Sequence, residues 1–110
     1  MERHLKALIV EDNPADANLI REMLSQSDEL SLSLEQASRL SHGLERLREN
    51  DLDLVLLDLS LPDSRGFETF SRVQAHTPEL PIIVLTGLDD RNVAIKAVRE
   101  GAQDYLVKGG

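Results

Sequence analysis

Several short apolar runs in this chain end on residues that can hold a cation or a phosphate. "KALIV" leads straight into Glu11, Asp12 and Asn13, and "LDLVLLDLSLPDSRG" carries an unbroken run, Leu54 to Leu57, up to a lone carboxylate at Asp58. "PIIVLTG" finishes at Thr86 and Gly87, and "DYLVK" finishes at Lys108. Three carboxylates brought together repel one another and raise at least one pKa, a cost that persists only if something offsets it. A hard divalent cation does so, and magnesium suits a sparse oxygen cluster of one or two carboxylates completed by water and phosphate oxygens. Lys108 offers a phosphate oxygen a point charge and Thr86 offers it a hydroxyl, while Gly87 leaves backbone N–H groups open to an anion. Asp58 then stands as a nucleophile, because carboxylates form aspartyl-phosphate intermediates. Taken singly, each feature is ordinary: an acidic pair entering a helix, a Thr-Gly turn, a solvated lysine, an aspartate that opens a turn. Their recurrence at successive run ends carries the argument. His4, His42 and His76 have no such company and read as surface residues.

The elements that must position these groups follow from periodicity. Apolar runs of strand length alternate with amphipathic segments of helical spacing, the α/β pattern. Leu and Val without interruption before Asp58 fit a strand buried on both faces, and Pro62 and Gly66 behind it signal a turn. Asn13 followed by Pro14 reads as an N-cap and first helical position, opening a helix with Ala17, Ile20 and Leu24 on its apolar side. "SLSLEQA" alternates Leu32 and Leu34 with polar residues, as in a strand near a sheet edge. A second helix runs from Leu40 to Glu49, weakened by Gly43 by about 1 kcal/mol relative to Ala. Phe67, Phe70 and Val73 mark a third helix, which ends before the two prolines of "HTPELP". Asp89 or Asp90 caps a fourth, with Val93, Ile95, Ala97 and Val98 as its buried residues and Gly101 as its stop. Parallel strands joined by right-handed crossovers open all their carboxyl ends on one sheet edge, where ligands bind in open α/β sheets.

Composition bounds the function. The 110 residues make one domain, 41% hydrophobic, with no internal boundary, repeat or low-complexity segment. There is no cysteine, which removes disulfides, thiolate chemistry and sulfur-bound zinc and is consistent with a cytoplasmic location. Twenty acidic against twelve basic residues give a net charge of −8, which argues against a nucleic-acid surface and for proteins or cations as partners. The apolar run at the amino terminus is too short for a membrane span or a signal peptide core.

These residues, in this order, resemble a response-regulator receiver domain of bacterial two-component signalling over nearly the whole chain. The resemblance implies a flavodoxin-like, doubly wound five-stranded parallel sheet in order 2-1-3-4-5, the order the fold rules give for a member of this family. It implies magnesium at Glu11, Asp12 and Asp58, with Ser60 lending a backbone carbonyl. It makes Asp58 the phosphoacceptor, with Pro62 and Gly66 at the family's spacing of four and eight residues beyond it. Thr86 becomes the switch hydroxyl, Tyr105 the switch aromatic and Lys108 the lysine that meets the phosphoryl group. Leu88, two residues after Thr86, falls where family members tune access of the hydrolytic water. The implied partners are a sensor histidine kinase or a histidine phosphotransfer protein on one side and an output domain or downstream protein on the other.

Three departures stand out. The first acidic position is Glu11 rather than Asp, its longer arm reaching the metal through water. Lys108 is followed by Gly109, where many members have a proline with a cis peptide bond, which implies a looser loop. The sequence ends at Gly110, where the family's fifth helix begins. The expectation is therefore a receiver unit, residues 1–110, forming the amino-terminal part of a longer protein, or self-association through an apolar face of strands three to five. Two other functions compete. A haloacid-dehalogenase-type phosphotransferase needs a second aspartate two residues after the nucleophile, where this chain has Ser60. A flavin-binding flavodoxin needs a phosphate loop rich in Ser and Thr after strand one, which is absent, and aromatic content is only 3%.

Overall fold

A computed structural model describes residues 3–25 and 30–108. Five parallel strands form one sheet: β1 (Arg3–Val10), β2 (Leu30–Ala37), β3 (Leu54–Asp58), β4 (Ile82–Thr86) and β5 (Asp104–Val107). Their order is β2-β1-β3-β4-β5, the doubly wound arrangement expected. Among the described residues the helices are α1 (Pro14–Leu24), α2 (Leu40–Leu47), α3 (Phe67–His76) and α4 (Arg91–Arg99), the last entered through a 3₁₀ turn, Leu88–Asp90. Expectations about Gly109 lie outside the described residues.

The central strands are apolar because both faces are covered. Ala7 to Val10 and Val55 to Leu57 are 0–1% exposed. One face packs under α2, α3 and α4 around Leu8, Val10, Leu57, Phe70 and Val84. The other packs under α1 around Ile9, Ala17, Ile20, Leu56 and Leu85. The expected exposure on the α1 face is smaller than predicted. Leu56 and Leu85 of β3 and β4 are fully buried there, Ile83 is half-buried, and Leu106 of β5 is 38% exposed. Ala17 and Ile20 of α1 share one buried cluster with Leu56 of β3 and Leu85 of β4.

Helix ends explain most boundaries. Asn13 caps α1, its Oδ1 accepting the N–H groups of Ala15 at 2.9 Å and Asp16 at 3.3 Å, a device worth about 1 kcal/mol. Gly101 ends α4 at φ +126°, where the Ala102 N–H donates to Ala97 O at 2.9 Å and the Gly101 N–H to Val98 O at 3.2 Å. That is a Schellman motif, and it needs the glycine. Three expectations are corrected. Helix α2 ends at Leu47, two residues short of Glu49, as its chain tightens into short-range bonds at Arg48 and Glu49. The buried residues of α4 are Ala94 and Ala97, with Val93, Ile95 and Val98 half-buried, because small side chains let the helix approach the sheet. Asp90 occupies the N-cap position of α4 but makes no side-chain cap, since the preceding 3₁₀ turn already leads the backbone in.

Gly43 has a packing reason that its helical position does not reveal. A Cβ there would lie 3.0 Å from Cγ2 of the fully buried Val10, so the missing side chain lets α2 sit on β1 at this distance without displacing Val10.

Candidate functional site

The strand register places the chemistry. Val10 pairs with Leu57, Asp58 with Leu85 and Thr86 with Val107, so β1, β3, β4 and β5 end level at one edge. The Lys108 N–H continues the ladder to Thr86 O at 2.7 Å. Glu11, Asp12, Asp58 and Lys108 all leave the sheet at that edge.

Glu11, Asp12 and Asp58 each offer a carboxylate oxygen within 4.8 Å of the others. Glu11 is wholly buried, Asp58 is 3% exposed and Asp12 faces solvent. The backbone of Glu11 is held by β2: its N–H donates to Ala37 O at 2.9 Å, and Gln36 Nε2 donates to its carbonyl at 3.1 Å. Its carboxylate accepts the Asn13 N–H at 3.1 Å and the Lys108 ammonium at 2.9 Å. Asp58 accepts the Ser60 N–H on Oδ1 at 3.0 Å and Lys108 Nζ on Oδ2 at 3.1 Å. A third carboxylate, Asp16 in the first turn of α1, lies 3.2 Å from the same ammonium. Sequence reasoning missed Asp16, although its place in the first turn of the helix that follows the acidic pair was a usable signal.

One lysine is thus shared by three carboxylates. Burial pushes the Glu11 carboxyl up to about 7, and the neighbouring Asp58 adds to the rise while Lys108 and the Asn13 N–H oppose it. The anticipated pKa elevation falls on Glu11, with burial rather than repulsion as its main cause. For Lys108 burial works against the charge, but the hydrogen bond to Glu11 and the Asp58 carboxylate prevail and hold its pKa above the ordinary lysine value.

The loop after β3 turns back on itself. Ser60 pairs with Arg65 and Leu61 with Ser64 across Pro62 and Asp63, and the Gly66 N–H donates to Leu59 O at 2.8 Å. Proline pre-sets the backbone for the first corner of such a turn. Gly66 has φ 78° and ψ −158°, a region open essentially to glycine, and space is not the reason, since nothing lies within 4 Å of a Cβ built there. The four- and eight-residue spacings from Asp58 therefore have a local cause. A cavity of about 280 Å³ opens beside this loop, lined by Leu59, Ser60, Arg65, Gly66, Asp90 and Val93.

Thr86 is 2% exposed and its hydroxyl donates to Gly87 O at 3.2 Å. Tyr105 pairs with Val84 and packs with the apolar cluster under α2–α4, on the face that Thr86 shares two residues further along β4. Leu88 is 68% exposed in the 3₁₀ turn just after them. His4, His42 and His76 are exposed, as expected. Asp51, far from this edge, is held down to about 2 by Arg46, which also pairs with Glu35. No helix among the described residues is long and apolar enough to cross a membrane.

The donor set is hard oxygen, partly buried and more acidic than one lysine neutralises, which fits a divalent cation such as magnesium. The family model of the response regulator receiver domain matches residues 7–110. The transcriptional regulatory protein MalR of Bacillus subtilis is 36% identical over 104 residues, 94% of this chain and 44% of MalR. The regulatory protein LuxO of Vibrio cholerae is 34% identical over 100 residues, 91% of this chain and 21% of LuxO. The chain thus spans less than half the length of these relatives. The receiver domain of NtrX from Brucella abortus superposes with a TM-score of 0.79 at 25% identity, covering 94% of this chain and 86% of that one. A response regulator receiver domain protein from Clostridium thermocellum gives 0.78 at 30% identity, covering 96% and 83%. The chain belongs to the response regulator receiver domain family, a signalling family of two-component systems.

Proposed function

We propose that this domain accepts a phosphoryl group on Asp58 from a phosphohistidine of a sensor kinase or histidine phosphotransfer protein, with magnesium as cofactor. The observation that carries the reading is the Lys108 ammonium bonded at once to Glu11 and Asp58, at 2.9 and 3.1 Å, at the rim of an acidic cluster. Glu11, Asp12 and Asp58, with the Ser60 carbonyl, would hold the metal, which supplies charge neutralisation for the phosphoryl oxygens. A carboxylate oxygen of Asp58 attacks phosphorus, the P–N bond to the donor imidazole breaks, and the donor histidine leaves with the electron pair. The Lys108 ammonium then has a phosphate oxygen to meet in place of a carboxylate. Thr86 exchanges its bond to Gly87 O for one to the new phosphoryl group, and Tyr105 follows on the same face, altering the surface beside α4. Chemistry of this kind makes the domain a catalyst only of its own phosphorylation and dephosphorylation. The lengths of MalR and LuxO support a receiver unit at residues 1–110 joined to an output module in a longer cytoplasmic protein, with self-association through the apolar face of strands three to five as the other route to cover Leu106.

Incubation with acetyl phosphate and magnesium, followed by intact mass, tests the reading. One phosphoryl group should add to the wild type and none to Asp58→Asn. An Asp58→Asn protein labelled at the wild-type rate would sink the assignment.

A further inference from the structure

Helix α2 begins without a cap of its own. Arg39 holds its N-cap position and makes no side-chain bond there. The first two N–H groups of the helix are taken instead by a residue from another loop: Leu40 N donates to Asp63 Oδ1 at 2.8 Å and Ser41 N to Asp63 Oδ2 at 2.9 Å. Asp63 sits in the turn between Ser60 and Arg65, on the loop that follows Asp58. A carboxylate with one oxygen on each of two adjacent helix N–H groups, at the positive end of the helix, is a strong and directional tie. These bonds hold the Asp63 carboxyl below its ordinary value although burial opposes them.

The segment that Asp63 grips is also the one that holds Glu11. Ala37 O and Gln36 Nε2 fix both sides of the Glu11 backbone, and three residues later the chain enters α2 at Leu40. A closed circuit results: Glu11 to Gln36 and Ala37, along the chain to Leu40 and Ser41, across to Asp63, back along the loop to Asp58, and through Lys108 to Glu11 again. Two loops converge on the acidic cluster, one with Glu11 and Asp12 and the other with Asp58 and Ser60. The Lys108 ammonium joins them directly, and Asp63 ties the second to the start of α2, just after the β2 end that holds the Glu11 backbone.

From this circuit we propose that Asp63 is a positioning residue, tying the phosphoacceptor loop to the β2–α2 segment that holds Glu11 and so setting the spacing of the acidic groups that receive the cation. The inference rests on the reading of the site as a magnesium-dependent phosphoacceptor. Outer contacts that orient ligands typically change metal affinity by about tenfold or more when removed.

Magnesium titration by calorimetry on the wild type, Asp63→Ala, and Asp63→Ala combined with Arg39→Asp tests it. Arg39→Asp gives α2 a local cap and leaves the loop untied. The thermal stability lost in Asp63→Ala should return in the double variant, while the affinity for magnesium stays about tenfold weaker than wild type in both. Phosphorylation by acetyl phosphate at subsaturating magnesium should be slowed in parallel and recover at saturating magnesium. Wild-type affinity in the double variant would reduce Asp63 to a helix cap and overturn the proposal. If the new cap fails to restore stability, Asp63→Asn, which keeps one acceptor oxygen, is compared with Asp63→Ala well below both melting points, and equal, wild-type-like affinities overturn it. A wild type that binds no magnesium removes the phosphoacceptor reading and this proposal with it; normal wild-type binding unchanged in the variants removes this proposal alone.

Discussion

Lys108→Met isolates the charge that holds the acidic cluster together, because methionine keeps most of the apolar stem and deletes the ammonium. Removing it leaves Glu11, wholly buried, and Asp58, 3% exposed, with no cation in contact, and Asp16 loses its partner at 3.2 Å. Breaking a buried ion pair from one side costs about 3–5 kcal/mol. The Lys108 side chain is 19% exposed and the carboxylates can take up protons, so the low end applies, about 3 kcal/mol near neutral pH without metal. For a domain of this size that lowers the melting temperature by about 12 °C. Magnesium should act in the opposite sense. An ammonium about 3 Å from two carboxylate ligands repels an incoming cation, so the variant should bind magnesium more tightly than the wild type and recover most of the loss; 100 times the dissociation constant contributes about 2.7 kcal/mol. Urea unfolding in EDTA and in a magnesium series, at constant ionic strength so that screening is fixed, measures both quantities. An equal loss of stability with and without magnesium, together with unchanged metal affinity, would refute the view that Lys108 works by neutralising the cluster.

Three further outcomes follow from the same geometry. Glu11 is raised from 4.5 to about 7 by burial, so between those values the folded state binds more protons than the unfolded state and this group's contribution to stability falls as pH rises. In EDTA the urea midpoint should therefore decline from pH 4.5 to 7, and saturating magnesium should flatten that decline; a flat profile in EDTA counts against a buried, protonatable Glu11. Gly43→Ala gains about 1 kcal/mol of helix propensity but forces a Cβ to 3.0 Å from Val10, an overpacking cost of about 1–3 kcal/mol. A net loss of about 1 kcal/mol is expected in urea unfolding, turning into a gain when the same change is made in a Val10→Ala background. Leu88, exposed beside Thr86, offers an attacking water no hydrogen bond, so Leu88→Glu should release phosphate from the phosphorylated domain about tenfold faster, the worth of one added hydrogen bond. Equal release rates would remove Leu88 from any account of the lifetime.

Most of the fold was legible in the sequence because its determinants are local. An apolar run becomes a central strand whatever covers it, Asn13-Pro14 starts a helix by its own backbone bonds, and Gly66 and Gly101 adopt conformations that other residues resist. Since parallel strands all end at one edge, the residues after each run were bound to meet there, and Glu11, Asp58, Thr86 and Lys108 could be named in advance. Other features depended on which elements the tertiary structure lays side by side. The Lys108–Glu11 bond joins residues 97 apart in the chain and the Asp63 cap of α2 joins residues 22 and 23 apart; neither carboxylate differs in sequence from one that faces water. Gly43 looked like a flaw in a helix until Val10 appeared beneath it. Burial of Glu11, the main cause of its raised pKa, is likewise absent from its local sequence, because it arises where the end of β2, Asn13 at the start of α1, Asp58 at the end of β3 and the Lys108 side chain meet around the end of β1. Local conformation is chosen by a few neighbouring residues and can be read from them. Charge partners, close approaches and desolvation are properties of surfaces that exist only after the sheet has assembled.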